Sequence, residues 1–185
     1  MLSDTGNTDS LWMVTSPPGV MPTLVSDLRT DVCIIGAGIA GITTAYLLAQ
    51  AGRRVVVLED GAVGGGETKR TTAHLSNALD DRYHVLERLH GREGARLAAA
   101  SHGAAIDTIE AIVRQEGISC DFERLDGYLF LSPGDSSSIL DAELEAAHRA
   151  GSPVSSVWAG SPWPTGIPDP ACASLDKASF THSPI

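Results

Sequence analysis

Positive charge is scarce in this 185-residue chain: 13 lysines and arginines stand against 23 aspartates and glutamates, a net charge of −10. Nucleic-acid surfaces need clustered Lys and Arg, so no nucleic-acid partner is expected. Cysteine is almost missing. Cys33, Cys120 and Cys172 are odd in number, widely spaced and in no C-x-x-C or Cys/His pattern, which argues against a disulfide framework and against a metal site. Cys33 falls in an apolar run and is expected as a small buried hydrophobe. No stretch of about 18 apolar residues occurs, so no membrane span is expected. The opening "MLSDTGNTDSLWMVTSPPG" carries early acids and no cationic segment before an apolar run, unlike a secretion signal. Together these absences suit a cytoplasmic setting. What remains, 43% hydrophobic and 19% charged, is an ordinary globular composition of one domain, or one domain and part of another.

The informative stretch is "DVCIIGAGIAGITTAYLLAQAGRRVVVLEDG", residues 31–61. A short apolar run, a glycine-rich turn, a helical pattern ending at Gly52 and a second β-branched run read as a βαβ unit with two buried parallel strands. Gly36, Gly38 and Gly41 form G-x-G-x-x-G between strand and helix. Gly36 permits the tight turn, Gly38 leaves room for a pyrophosphate, and Gly41 lets helix and strand approach. The helix start, with Ala37, Ile39 and Ala40 completing the turn, offers N–H groups and partial positive charge to phosphates. Glu59 closes the second strand at the usual distance of roughly 20 residues, where a carboxylate accepts from ribose hydroxyls and repels a 2′-phosphate. NADP is thereby disfavoured.

The segment after Glu59 separates FAD from NAD. "EDGAVGGGETKRTTAHL" is a polar loop of about twenty residues, a length that usually carries function. An NAD domain continues directly into another helix, whereas such a loop suits a cofactor extending past its pyrophosphate to a ribityl chain and flavin. Hydroxyls suit the ribityl, and Arg70 suits a phosphate or an electron-rich ring. Further on, residues 80–116 read as helical, broken at Gly91 and Gly94, with Ile106, Ile109, Ile112 and Val113 marking a core face. "CDFERLDGYLFLS" reads as two strands around a turn at Asp126-Gly127. "SSSILDAELEAAHRAG" reads as an amphipathic helix ending at Gly151. His84, His90, His102 and His148 sit on predicted helices without ligand-like spacing and are not expected to be catalytic.

The run from Asp31 to Leu131, about a hundred residues and more with the "SLWM" lead-in, resembles the N-terminal part of the FAD-dependent oxidoreductases of the D-amino acid oxidase superfamily. "RTTAHL" with "DGYLFL", and also "ALDDRY" and "LERLHG", resemble a bacterial subgroup with a C-terminal Rieske domain. The Rieske ligands Cys-x-His and Cys-x-x-His are absent here, so no iron–sulfur cluster is assigned. The resemblance implies that Gly36, Ala37, Gly38, Ile39, Ala40 and Gly41 hold the FAD pyrophosphate, and Glu59 the adenosine ribose. It implies that Asp60 and Gly66 shape the adenine and pyrophosphate surroundings, and that Arg70, Thr71, Thr72, Ala73 and His74 lie along the ribityl and flavin. The implied reaction is hydride transfer to flavin from a small-molecule amine or amino acid. No catalytic base is identifiable.

The expected fold is α/β, an incomplete Rossmann-like FAD-binding domain of the glutathione-reductase-like superfamily with the start of an α+β substrate domain. Residues 1–29 are expected as an irregular lead-in, with Leu11, Trp12 and Met13 able to dock on the folded body. Residues 30–118 are expected to form the FAD-binding βαβ unit, loop and helices, and 119–151 the start of the substrate domain. Residues 152–185 hold six of the ten prolines and two of the three tryptophans, and are expected as a divergent, poorly ordered tail, out of frame or diverged from the family. The chain then reads as a truncated N-terminal half. The alternatives are a catalytically inactive nucleotide-binding remnant and an NAD-dependent dehydrogenase.

Overall fold

The computed structural model describes residues 10–15, 19, 21–131, 136–152, 154–158 and 172–180. The chain divides into two compact units, residues 1–72 and residues 73–185.

In the first unit a short helix, α1 (Leu11–Thr15), precedes strand β1 (Val32–Ile35), helix α2 (Ile39–Gln50) and strand β2 (Val55–Leu58). β1 and β2 pair in parallel, Val32 opposite Val55 through Ile35 opposite Leu58, with α2 as the crossover. This is the expected βαβ topology, but the strands expected to be buried contain no fully buried residue. Asp31 and Arg54 latch the strand starts: the Arg54 N–H donates to Asp31 Oδ2 at 3.0 Å and its guanidinium to Oδ1 at 2.9 Å. That guanidinium holds the Asp31 carboxyl below the usual carboxylate range. α2 ends where Gly52 takes φ +76°, and the Arg53 N–H turns back to the Leu48 carbonyl at 3.0 Å. After β2 the chain makes a loop and one 3-10 turn, Glu67–Arg70.

Another expectation for this unit needs correction. Cys33 is exposed, not buried, and its neighbour on the same face, Ile35, is 78% exposed. In β1 exposure alternates, because α2 covers one face of the strand pair and side chains alternate between faces.

The second unit contains β3 (His74–Ser76), α3 (Tyr83–Gln115), β4 (Phe122–Phe130), α4 (Ser138–Ala150), β5 (Val154–Trp158) and β6 (Cys172–Phe180). α3 bends at Gly91, whose φ +72° and ψ 171° leave helical geometry. Gly94 stays inside the helix, so one of the two expected breaks is real. Gly117 ends α3 with φ +62° and Gly151 ends α4 with φ +76°, the left-handed conformation that glycine adopts without steric cost.

α3 and α4 pack closely through Tyr83, Ala95 and Ala99 on one side and Ala146, Ala147 and Ala150 on the other. Small side chains allow that approach, and Leu129, Leu86 and Leu144 fill its margin. Ile106 is buried as expected, while Ile109, Ile112 and Val113 are half-buried. Because α3 builds its core with α4, the packing groups residues 73–118 with the later elements rather than with the βαβ unit.

One further expectation differs from the structure. β4 runs unbroken through Asp126 and Gly127, each opposite a residue of β6 (Asp176 and Leu175), so no turn forms there. An Asp-Gly pair favours a turn only when the two flanking segments pair with each other, and here β6 supplies the partner along all of β4. Within the segment expected as a poorly ordered tail, residues 154–158 and 172–180 form β5 and β6, and 153, 159–171 and 181–185 lie outside the described residues. β6 pairs with β4 over its full length, and with β5 and β3 along its other edge. All three pairings are antiparallel. Backbone pairing of this kind needs little hydrophobic periodicity, which is why composition did not signal it. Among the described residues no helix is long and apolar enough to cross a membrane.

Candidate functional site

The parallel strands β1 and β2 both end at the glycine turn, and a cleft there is lined by Ile35, Gly36, Leu58, Glu59 and Asp60. Ligands of open α/β sheets bind outside the carboxyl ends of the strands. Local chemistry dictates the shape of this place. Gly36 takes φ +100°, and its N–H donates to the Leu58 carbonyl at 2.8 Å, closing the strand ends together. Gly38 stands at the N-terminal cap of α2, with no side chain of its own to cap it. A Cβ on Gly41 would lie 2.0 Å from the Gly36 carbonyl oxygen. Helix start and strand end therefore approach as only a glycine allows.

Glu59 fastens the turn. Its Oε2 accepts the Ala37 N–H at 2.6 Å and its Oε1 accepts the Gly61 N–H at 3.1 Å. The Ala37 N–H, then the Gly61 N–H, then the Asp60 side chain hold the Glu59 carboxyl below the usual range. Each carboxylate oxygen still has a second lone pair for a ligand hydroxyl.

The polar loop folds back over this turn. The Gly64 N–H donates to the Ala37 carbonyl at 2.8 Å, and the Ile39 N–H, first in α2, donates to Thr68 Oγ1 at 3.0 Å. Gly66 caps the 3-10 turn, Arg70 ends it beside Glu67 at 3.7 Å, and Thr71 returns to extended backbone. Thr72 is exposed and is the last residue of the first unit.

The structure thus brings Gly36, Ala37, Gly38, Ile39, Ala40, Gly41, Glu59 and Asp60 together, with Gly66, Arg70 and Thr71 on the returning loop. Ala73 and His74 belong to the second unit. Ala73 has φ +56°, and exposed His74 opens β3 opposite Ser179. Sequence reasoning placed Thr68 among the loop hydroxyls suited to a ribityl chain but not at the helix start, where it takes the Ile39 N–H, and it missed Ser10. It expected Trp12 to dock without saying where. Ser10 Oγ donates to the Lys69 carbonyl, and Trp12 Nε1–H donates to the Thr71 carbonyl at 3.1 Å. The available signal was the apolar "LWM" in a polar lead-in.

Comparison with known proteins identifies the family. YhfW of Bacillus subtilis (strain 168), whose name describes a Rieske 2Fe-2S iron-sulfur protein, is 36% identical over 143 residues, 77% of this chain and 28% of its own length. Gamma-glutamylputrescine oxidoreductase of Escherichia coli (strain K12) is 31% identical over 130 residues, 70% of this chain and 30% of its own. The chain therefore spans less than a third of either relative. L-amino acid deaminase from Proteus vulgaris superposes with a TM-score of 0.61 at 20% identity, covering 88% of this chain and 37% of that one. L-proline dehydrogenase from P. horikoshii gives 0.61 at 18% identity, over 82% and 38%; both likenesses concern the fold. The family described as FAD dependent oxidoreductase (DAO) matches residues 31–182, running through the segment expected to diverge. By that match, over most of its length, the chain belongs to the FAD dependent oxidoreductase (DAO) family.

Proposed function

We propose that this chain supplies the FAD-binding part of an oxidoreductase whose substrate is an amine or amino acid. The observation that carries the reading is the cleft at the ends of β1 and β2, where the glycine turn and the Glu59 carboxylate meet. Its residues fit FAD. The turn from Gly36 to Gly41 offers backbone and a helix start to the pyrophosphate, and only a residue without Cβ keeps that approach open at Gly38. Glu59, charged and already fixed by two N–H groups, holds the adenosine ribose through its remaining lone pairs, with Asp60 beside it. Gly66, Arg70, Thr71 and Thr72, with Ala73 and His74 next in sequence, are the proposed contacts to the ribityl chain and flavin.

FAD, when bound, supplies the acceptor for a hydride from a carbon bearing nitrogen. The chain's own part is to bind and orient. The substrate class is supported by the names of its relatives and structural neighbours, which describe a putrescine derivative, L-amino acids and L-proline. A free, exposed thiol at Cys33 supports a reducing, cytoplasmic setting.

The test is the visible spectrum of the purified chain after FAD is added and excess removed. A retained flavin spectrum is expected; a folded but colourless protein, or one that retains NAD instead, overturns the reading. Glu59→Ala is expected to weaken FAD binding about tenfold or more, through lost ribose contacts and a loosened turn. The pH dependence comes from the lowered Glu59 pKa. Its contribution is complete above the ordinary glutamate range and is lost only as pH falls through the lowered value. Flavin retention titrated with acid should therefore stay level from neutrality to about pH 4.5 and fall below it.

A further inference from the structure

We propose that Ser10 and Trp12 form a clasp that holds the cofactor loop in place, making this S-x-W segment a positioning element for FAD. The identity of the cofactor rests on the proposed FAD function; the clasp itself does not. The 3-10 turn Glu67–Arg70 is entirely polar and has no buried residue. One such turn does not stand alone in water, because its nucleation is unfavourable and nothing apolar is gained. It is held from outside by hydrogen bonds. The Lys69 N–H donates to the Gly64 carbonyl at 3.1 Å, Thr68 Oγ1 receives the Ile39 N–H, and two more bonds come from the lead-in.

Those two are a matched pair. Ser10 Oγ donates to the carbonyl of Lys69, and Trp12 Nε1–H to the carbonyl of Thr71. Donors two residues apart meet acceptors two residues apart, with Arg70 fixed between them. The segments joined are 59 residues apart in sequence. α1 itself buries none of its residues, and Leu11 and Val14 are 51% and 69% exposed. The helix therefore adds no fully buried residue to the unit, whereas Ser10 just before it and Trp12 within it each donate a bond to the loop. Both residues precede the family match, which begins at residue 31, and belong to the same compact unit as the glycine turn. The side-chain bonds that Ser10 and Trp12 donate go to backbone carbonyls. They act through the loop, keeping Thr68 at the start of α2 and Arg70 in register.

The test uses the whole 185-residue chain with Ser10→Ala, Trp12→Phe and both together. Phenylalanine keeps the ring and removes the donor. Each single variant is expected to raise the FAD dissociation constant about fivefold, and the double variant about 25-fold, as loss of one and two hydrogen bonds implies. Amide hydrogen exchange across residues 64–72, measured without FAD, should quicken by similar factors while exchange in α2 and the second unit stays as in wild type. Ser10→Thr, which restores a hydroxyl, should return both readouts. Unchanged loop exchange in the double variant overturns the clasp. A wild-type chain that binds no FAD defeats the cofactor reading alone, since the exchange experiment still decides the clasp. If Trp12→Phe does not fold, Ser10→Ala by exchange decides it.

Discussion

Gly41→Ala is expected to abolish FAD retention and to destabilise the first unit by about 3 kcal/mol. The added Cβ would sit 2.0 Å from the Gly36 carbonyl oxygen and 3.1 Å from its carbon. Both are backbone atoms, so no side chain can swing aside. Either α2 moves off β1 or the turn opens, and each breaks the cleft. Gly38 provides the contrast. A Cβ there meets only Thr68 Oγ1, at 3.4 Å, and its φ of −74° suits any residue. Gly38→Val should therefore leave the fold largely intact while its side chain fills the position proposed for the pyrophosphate. Circular dichroism with flavin absorption separates the two. A Gly41→Ala protein that melts like wild type and keeps its flavin would show that the helix–strand approach tolerates a methyl group.

Glu143→Ala is expected to destabilise the second unit by about 3 kcal/mol, with Glu143→Gln costing about half as much. Glu143 lies on α4 and is 5% exposed. Its Oε1 accepts the Tyr83 N–H at 2.8 Å, its Oε2 accepts the His84 N–H at 3.1 Å, and His84 Nδ1 lies 2.8 Å from the same oxygen. One carboxylate from α4 thus caps the first turn of α3, where Arg82 makes no side-chain cap bond. Alanine would leave buried N–H donors without an acceptor, the costly case. Glutamine keeps a carbonyl for one of them. Tyr83 tightens the same corner, donating its buried hydroxyl to the Asn77 carbonyl at 2.5 Å, and burial pushes that phenol's pKa up. Denaturant titration of the purified variants gives the comparison. Equal midpoints for Glu143→Ala and wild type would mean water satisfies those donors.

Some of this protein is written in residues near one another, and that part was readable from the sequence. The glycine turn, α2 with its stop at Gly52, the parallel strands and Glu59 depend on contacts spanning fewer than about thirty residues, and on backbone conformations that glycine alone takes easily. The bend at Gly91 and the stops at Gly117 and Gly151 were legible for the same reason. Cys33 shows the limit of such reading, since an apolar strand does not say whether both its faces are covered. The Asp126-Gly127 pair shows it again, because turn chemistry yields to a strand partner that arrives from residues 172–180.

The sequence by itself therefore determined the glycine turn and the cofactor class, where short-range sterics and hydrogen bonding leave few alternatives. The tertiary structure alone decided the Glu143 cap on α3, the seat of Thr68 at the start of α2, the Ser10 and Trp12 clasp and the pairing of β4 with β6. Each of these joins segments about thirty to sixty residues apart. Nothing in the identity of a glutamate, a threonine or a serine names which distant N–H or carbonyl it will meet. Those partners are chosen when the chain packs, by the need to satisfy every polar group that packing removes from water.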